Sequence, residues 1–245
     1  MKILALEPGG STVALCALQI EEDGTAQVHA VSTFSEVRRL SQAMMAVLQS
    51  TLEHAGWSLD DVDALAVGMG PGSWTGLRIG LTTMKTLAQV RELPLAGVPT
   101  FDAYAQAAWR QLDDGEHRLL LVCAPCRPGE VYGKIFESHP DYLMVAQEEW
   151  IGSESLMVDA LITQAMARGI EASPVVVGGS PAMLQLLIES REQPLVVQPT
   201  IEAMCVEIAL AGALKILGDE ADDPLALQPL YLAPSAAERN LKISV

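Results

Sequence analysis

The run Val67-Gly68-Met69-Gly70-Pro71-Gly72-Ser73-Trp74-Thr75-Gly76-Leu77-Arg78-Ile79-Gly80 constrains this chain more than any other stretch. Ala64-Leu65-Ala66-Val67 ahead of it is a short apolar run of strand type, and Leu77, Leu81, Met84 and Ala88 behind it recur at helical spacing. A strand therefore feeds a glycine-rich turn that opens a helix. Free backbone N–H groups and the positive helix end face whatever occupies such a turn. Gly70, Gly72 and Gly76 permit positive φ and close approach, Thr75 is placed to cap the helix, and Arg78 lies one turn in. A Walker A loop would need Gly-Lys-Ser/Thr where Gly76-Leu77-Arg78 stands, and Ser73 replaces the last glycine of a dinucleotide fingerprint. A ligand-holding loop and a tight turn without ligand both stay open at this point.

With 245 residues, half of them hydrophobic, the chain can bury a sizeable core in one large or two small domains. Fifteen basic against thirty-one acidic residues give a net charge of −16. That balance disfavours unaided binding to nucleic acid or to an anionic membrane, so any nucleic acid would have to be carried by another subunit. Met1-Lys2-Ile3-Leu4-Ala5-Leu6 meets Glu7 too early for a signal-peptide core. Ile201–Leu217 carries Glu202, Glu207 and Lys215 and reads as a buried amphipathic helix rather than a membrane span. A cytoplasmic protein is expected.

Cys123-Ala124-Pro125-Cys126 has dithiol spacing, but an alternating strand pattern follows it instead of the helix that lowers a thiol pKa in redox motifs. Cys16 and Cys205 are isolated, so two neutral thiols near a hairpin are the better reading, with no metal ligand pair.

The remaining periodicities predict strands at Ile3–Glu7, Thr12–Gln19 and Ala26–Phe34, then a helix over Val37–Ala55. Ser58-Leu59-Asp60-Asp61 predicts a capped single turn. Next come the Ala64–Met69 strand, the Leu77–Arg91 helix, a strand at Leu95–Val98 and a helix at Thr100–Leu112. The order then repeats: strands at Arg118–Cys123, Val131–Glu137 and Leu143–Glu149, helix Glu154–Arg168, strand Val175–Val177, helix Pro181–Glu189, strand Leu195–Val197 and helix Ile201–Leu217. Three strands followed by alternating helices and strands, twice over, predict an α/β protein of two ribonuclease-H-like subdomains, each a mixed sheet with flanking helices. The polar Asp113-Asp114-Gly115 segment puts the boundary between residues 112 and 113.

Gly70-Pro71-Gly72-Ser73-Trp74-Thr75-Gly76-Leu77-Arg78-Ile79-Gly80 closely resembles the GPGSFTGLRIG signature of the bacterial TsaB (YeaZ) family. Leu4-Ala5-Leu6, Leu93-Pro94-Leu95-Ala96-Gly97-Val98, Gly129-Glu130-Val131-Tyr132 and Pro229-Leu230-Tyr231-Leu232 match in family order along almost the whole chain. The resemblance implies the fold of the actin/Hsp70/sugar-kinase superfamily. It further implies a non-catalytic, homodimerising subunit that pairs with the related metal-dependent TsaD. TsaD makes N6-threonylcarbamoyladenosine at position 37 of tRNAs reading ANN codons, in a complex that includes the ATPase TsaE. No cofactor is expected on this chain alone; ATP or ADP would sit at the interface with TsaD.

Three departures stand out. Glu7-Pro8-Gly9-Gly10 replaces the usual Asp-Thr/Ser opening, Phe34-Ser35-Glu36 replaces His-Ser-Glu, and Pro125-Cys126-Arg127 replaces Asp-Ala-Arg. In the related kinases the first hairpin touches phosphate; here Pro8 removes one N–H and Glu7 is a methylene longer, so nucleotide binding by this cleft is disfavoured.

The residues independently favour a partner protein over an enzyme. His29, His54, His117 and His139 are far apart in sequence, and none has a second histidine four positions on. No Gly-x-Ser-x-Gly elbow is present, and Glu21-Glu22 and Asp222-Asp223 read as solvated charge. The docking expectation is a strip where Gly76 and Gly80 share one helix face. Leu77, Leu81, Thr83 and Met84 would border it, with Met44, Met45 and Leu48 on the preceding helix. Packing of those glycines on the chain's own sheet is the alternative. Two other classes remain: a stand-alone ATP-dependent kinase or carbamoyl transferase, which tight Mg-ATP binding with turnover would reveal, and a protease, which a casein assay would reveal.

Overall fold

The computed structural model of the protein describes residues 1–36, 39–190 and 193–233. The first of its two units combines Met1–Ala103 with Thr200–Tyr231; the second is built on Tyr104–Pro199.

In the first unit β1 (Lys2–Glu7), β2 (Val13–Ile20) and β3 (Ala26–Phe34) form an antiparallel meander. Helix α1 (Leu40–Ala55) follows, closed by Gly56 at a φ of 72°; Val37, expected on its first turn, lies outside the described residues. A single 3-10 turn, Leu59–Asp61, carries the expected Ser58–Asp61 capping box. Strand β4 (Ala64–Gly68), helix α2 (Trp74–Arg91) and strand β5 (Leu95–Val98) complete the sheet in the order β3-β2-β1-β4-β5. Strands β1, β4 and β5 run parallel.

Alternation along β1 divides the core. Leu4 and Leu6 join Met44, Leu48, Leu81 and Met84 of α1 and α2 on one face, while Ile3 and Ala5 face Cys205, Ile208 and Ala209 on the other. Every one of these side chains is buried. At roughly 1.5–3 kcal/mol for each large apolar side chain, that double layer supplies most of the unit's stabilisation.

The second unit repeats the plan. Helix α3 (Thr100–Leu112) leads to β6 (Arg118–Arg127), β7 (Glu130–Ser138) and β8 (Leu143–Gly152). Helix α4 (Glu154–Arg168), strand β9 (Val175–Val177), helix α5 (Pro181–Glu189) and strand β10 (Leu195–Val197) follow. The sheet order β8-β7-β6-β9-β10 reproduces that of the first unit. Helices α4 and α5 cover one face through Met157, Leu161, Met183 and Leu187. Two ribonuclease-H-like sheets were the expectation, and two are found.

The expected boundary at 112/113 needs correction. Helix α6 (Ile201–Leu217) packs on β1, β2, β4 and β5, and so belongs to the first unit. Its small residues permit this: Gly212 lies against Ala66 with no room for a side chain. Beyond α6, Asp222 bridges to Leu95 at the edge of β5, accepting the Gly97 N–H at 2.7 Å and the Lys215 ammonium at 2.7 Å. Asp222 is therefore a structural clamp on an otherwise open sheet edge, not the solvated charge its sequence neighbourhood suggests. No helix among the described residues is long and apolar enough to cross a membrane.

Candidate functional site

The glycine loop sits at the carboxyl end of β4, beside the turn that follows β1. Three of its N–H groups are answered from within. Gly70 N–H donates to Thr100 Oγ1 at 3.0 Å, Ser73 N–H to the Gly9 carbonyl at 2.7 Å, and Gly76 N–H to Ser73 Oγ at 3.3 Å. Ser73, not Thr75, is the N-cap, and Thr75 is exposed. Substituting Ser73 by Ala is expected to lower stability by about 1 kcal/mol in thermal melts.

Three glycines let the β1 turn approach. Gly72 faces the Gly9 carbonyl oxygen, Gly76 the Pro8 carbonyl oxygen, and Gly80 the Pro8 ring and Leu6; a side chain at any of them would overlap these atoms. Gly70 adopts a φ of 96° and precedes Pro71 through a cis peptide. The close approach anticipated at Gly76 and Gly80 is thus made to the chain's own first hairpin.

Glu7 closes that hairpin from within. Its side chain curls back, with Oε1 accepting the Gly9 N–H at 2.6 Å and Oε2 accepting the Thr100 hydroxyl at 2.8 Å. The carboxylate fills the space left by Gly68. Full burial raises its pKa to about 7, opposed by these two hydrogen bonds.

Of the expected docking residues, Met44, Leu48, Leu77, Gly80, Leu81 and Met84 are buried within this chain. They cannot present a face to a partner. Met45 is 55% exposed and Thr83 half-buried, so the surface that α1 and α2 offer is narrower than the sequence suggested. A feature the sequence did not signal lies on the loop's outer side. The Trp74 and Tyr231 rings stack at 3.9 Å, the Arg78 guanidinium lies 4.4 Å over Trp74, and Arg78 Nε donates to the Tyr231 hydroxyl at 3.1 Å. The segment bearing Tyr231 is tied down by Leu230 N–H donating to the Met69 carbonyl.

Cys123 and Cys126 share β6, which runs on to Arg127 past the expected end at Cys123. Cys123 is buried against Met183, and desolvation, reinforced by Glu154, holds its thiol well above the ordinary range. Both cysteines are free. The histidines are less dispersed than their numbering implies. His117 and His139 stack at 4.5 Å, and both point Nε2 at Glu137.

The two units repeat one plan, three antiparallel strands followed by alternating helices and parallel strands. The crystal structure of an uncharacterized protein with similarity to peptidase YEAZ from Pseudomonas aeruginosa superposes at a TM-score of 0.70 with 21% identity, covering 95% of this chain and 99% of that one. Residues 33–150 match the family model described as TsaD, tRNA N6-adenosine threonylcarbamoyltransferase. The tRNA threonylcarbamoyladenosine biosynthesis protein TsaB of Escherichia coli (strain K12) is 39% identical over 132 residues, 54% of this chain and 53% of that protein. Its namesake in Bacillus subtilis (strain 168) is 31% identical over 137 residues, 56% of each. The chain spans about half the length of these curated relatives in the matched region. Over that region the chain is similar to the TsaB proteins, and its fold is that of the YeaZ-like structure.

Proposed function

We propose that this chain is a non-catalytic activating subunit of the assembly that installs N6-threonylcarbamoyl on adenosine 37 of ANN-decoding tRNAs. It works by pairing with a TsaD-like transferase, alongside a TsaE-like ATPase, and meets tRNA only through that complex. The observation that carries this reading is the closed first hairpin. Where a phosphate-transfer relative would need free N–H donors and a carboxylate facing ligand, Glu7 is turned inward and the N–H groups of Gly70, Ser73 and Gly76 are spent on Thr100, Gly9 and Ser73. The acidic net charge agrees with indirect contact to tRNA. We place any nucleotide of the complex at the shared interface, and the partner on the exposed side of α1 and α2 around Met45 and Thr83. The same surface would serve self-association of the isolated chain.

A reconstituted tRNA-modification assay with the TsaD-like and TsaE-like proteins tests this. Modification should depend on the chain, while the chain alone should neither bind Mg-ATP tightly nor turn it over. Equal modification in its absence would overturn the proposal. Met45→Glu should weaken co-elution with the TsaD-like protein by about tenfold or more, since it buries a charge at the contact, and leave the melting curve unchanged because the side chain is exposed. Undiminished co-elution would move the contact elsewhere on the chain.

A further inference from the structure

The register of the β6–β7 hairpin assembles a set of metal-ligand chemistry far from the glycine loop in sequence. His117 immediately precedes β6, Glu137 lies on β7 opposite Leu119, and His139 follows the end of β7. His117 Nε2 is 2.7 Å and His139 Nε2 3.4 Å from the same Glu137 oxygen, Oε1. All three potential donor atoms lie within 4.8 Å of one another. In a tetrahedral zinc site, with metal–ligand bonds near 2.0–2.2 Å, donors stand about 3.3 Å apart. Only a small adjustment therefore separates the arrangement found from one that surrounds an ion.

The surroundings hold the three residues in place. Arg168 Nε donates to Glu137 Oε2 at 2.9 Å, leaving Oε1 aimed at both imidazoles, as an outer partner orients a ligating carboxylate. Ser138 ties the hairpin end together, donating to the Glu116 carbonyl at 3.0 Å and accepting the Arg118 N–H at 3.2 Å. On the other side, His139 N–H donates to the Tyr142 carbonyl at 2.8 Å, and the Tyr142 ring stacks on His139 at 4.4 Å. The His117 side chain is 44% exposed, which leaves an entry path and room for a water ligand. Two imidazoles and one carboxylate suit a borderline divalent ion, whereas Mg2+ and Ca2+ prefer all-oxygen sets.

We propose that His117, Glu137 and His139 bind a divalent transition-metal ion of the zinc type at the end of the β6–β7 hairpin of the second unit.

Titration calorimetry of the full chain with zinc chloride at pH 7.5 tests this. We expect one equivalent bound with a Kd on the order of micromolar, weakened by about thirtyfold or more in the His117→Ala/His139→Ala double variant and about tenfold in Glu137→Gln. Cys126→Ser should bind as the parent does. Nitrogen-edited spectra should show ring shifts at His117 and His139 but not at His29 or His54, a readout that holds even if a variant folds poorly. Absence of binding tighter than millimolar, or a site that survives the double histidine change, would overturn the proposal.

Discussion

Gly76→Ala should cost the protein about 3 kcal/mol, although alanine is the better helix former. Replacing an internal helical glycine by alanine ordinarily gains up to about 1 kcal/mol. Here the new methyl would run into the backbone carbonyl oxygen of Pro8, and a backbone atom cannot swing aside as a side-chain tip can. Relief would require moving the β1 turn, whose Gly9 carbonyl is bonded to Ser73 and whose Gly9 N–H is bonded to Glu7. Overpacking against a fixed neighbour outweighs the propensity gain. For a chain of this length we expect a melting temperature lower by about 6–12 °C. Gly80→Ala meets the Pro8 ring, with Cβ nearest, and Leu6 Cδ2 at 3.1 Å, side-chain atoms rather than a backbone carbonyl, and should lose less. A Gly76→Ala protein that melts at or above the parent temperature would show that the first hairpin is not clamped. The ordering also separates intramolecular packing from partner docking, because a pure docking role would leave both melts at or above that of the parent.

Glu7→Gln should stabilise the protein at neutral pH and flatten its pH dependence. A buried carboxyl whose pKa rises from 4.5 to about 7 binds its proton more tightly folded than unfolded. Between those values the native state holds the extra proton, so stability falls as pH rises. It is highest below the unfolded value and levels off above about pH 7. At about 1.4 kcal/mol per unit, the full span amounts to roughly 3 kcal/mol. Glutamine keeps an acceptor for the Gly9 N–H and removes the charge. Denaturant melts across pH 4.5–8 should therefore show the difference between variant and parent growing with pH in favour of the variant. A difference that stays constant across that range would mean the carboxylate is already ionised at low pH.

Much of this architecture could be read in advance, because strand and helix periods differ and both were clean. The bounds of α3, α4, α5 and α6 agree with the periodic runs, and the duplicated order of strands and helices implied the two sheets. The site was harder. Leu77, Leu81 and Met84 form an apolar helical stripe, and a stripe looks the same whether it faces the chain's own sheet or a visitor. Only the β1 neighbours decided it. Ser73 was passed over as cap because the helix begins three residues earlier than its first apolar position. Asp222 and the His117–Glu137–His139 group depend on edge pairing and hairpin register, which bring together residues with no local pattern linking them. The Trp74–Arg78–Tyr231 stack joins residues more than 150 positions apart, again through tertiary structure alone.

The return of α6 to the first sheet has a consequence for how the polypeptide matures. Residues 104–199 are contiguous and can condense as soon as they leave the ribosome, but the amino-terminal sheet must wait. Until Ile201–Leu217 emerges, Ile3, Ala5, Ala14, Cys16 and Ala66 have one apolar face without its cover. The portion synthesised first is thus the portion completed last, and during that interval it is the exposed partner in any encounter with chaperones or with other nascent chains.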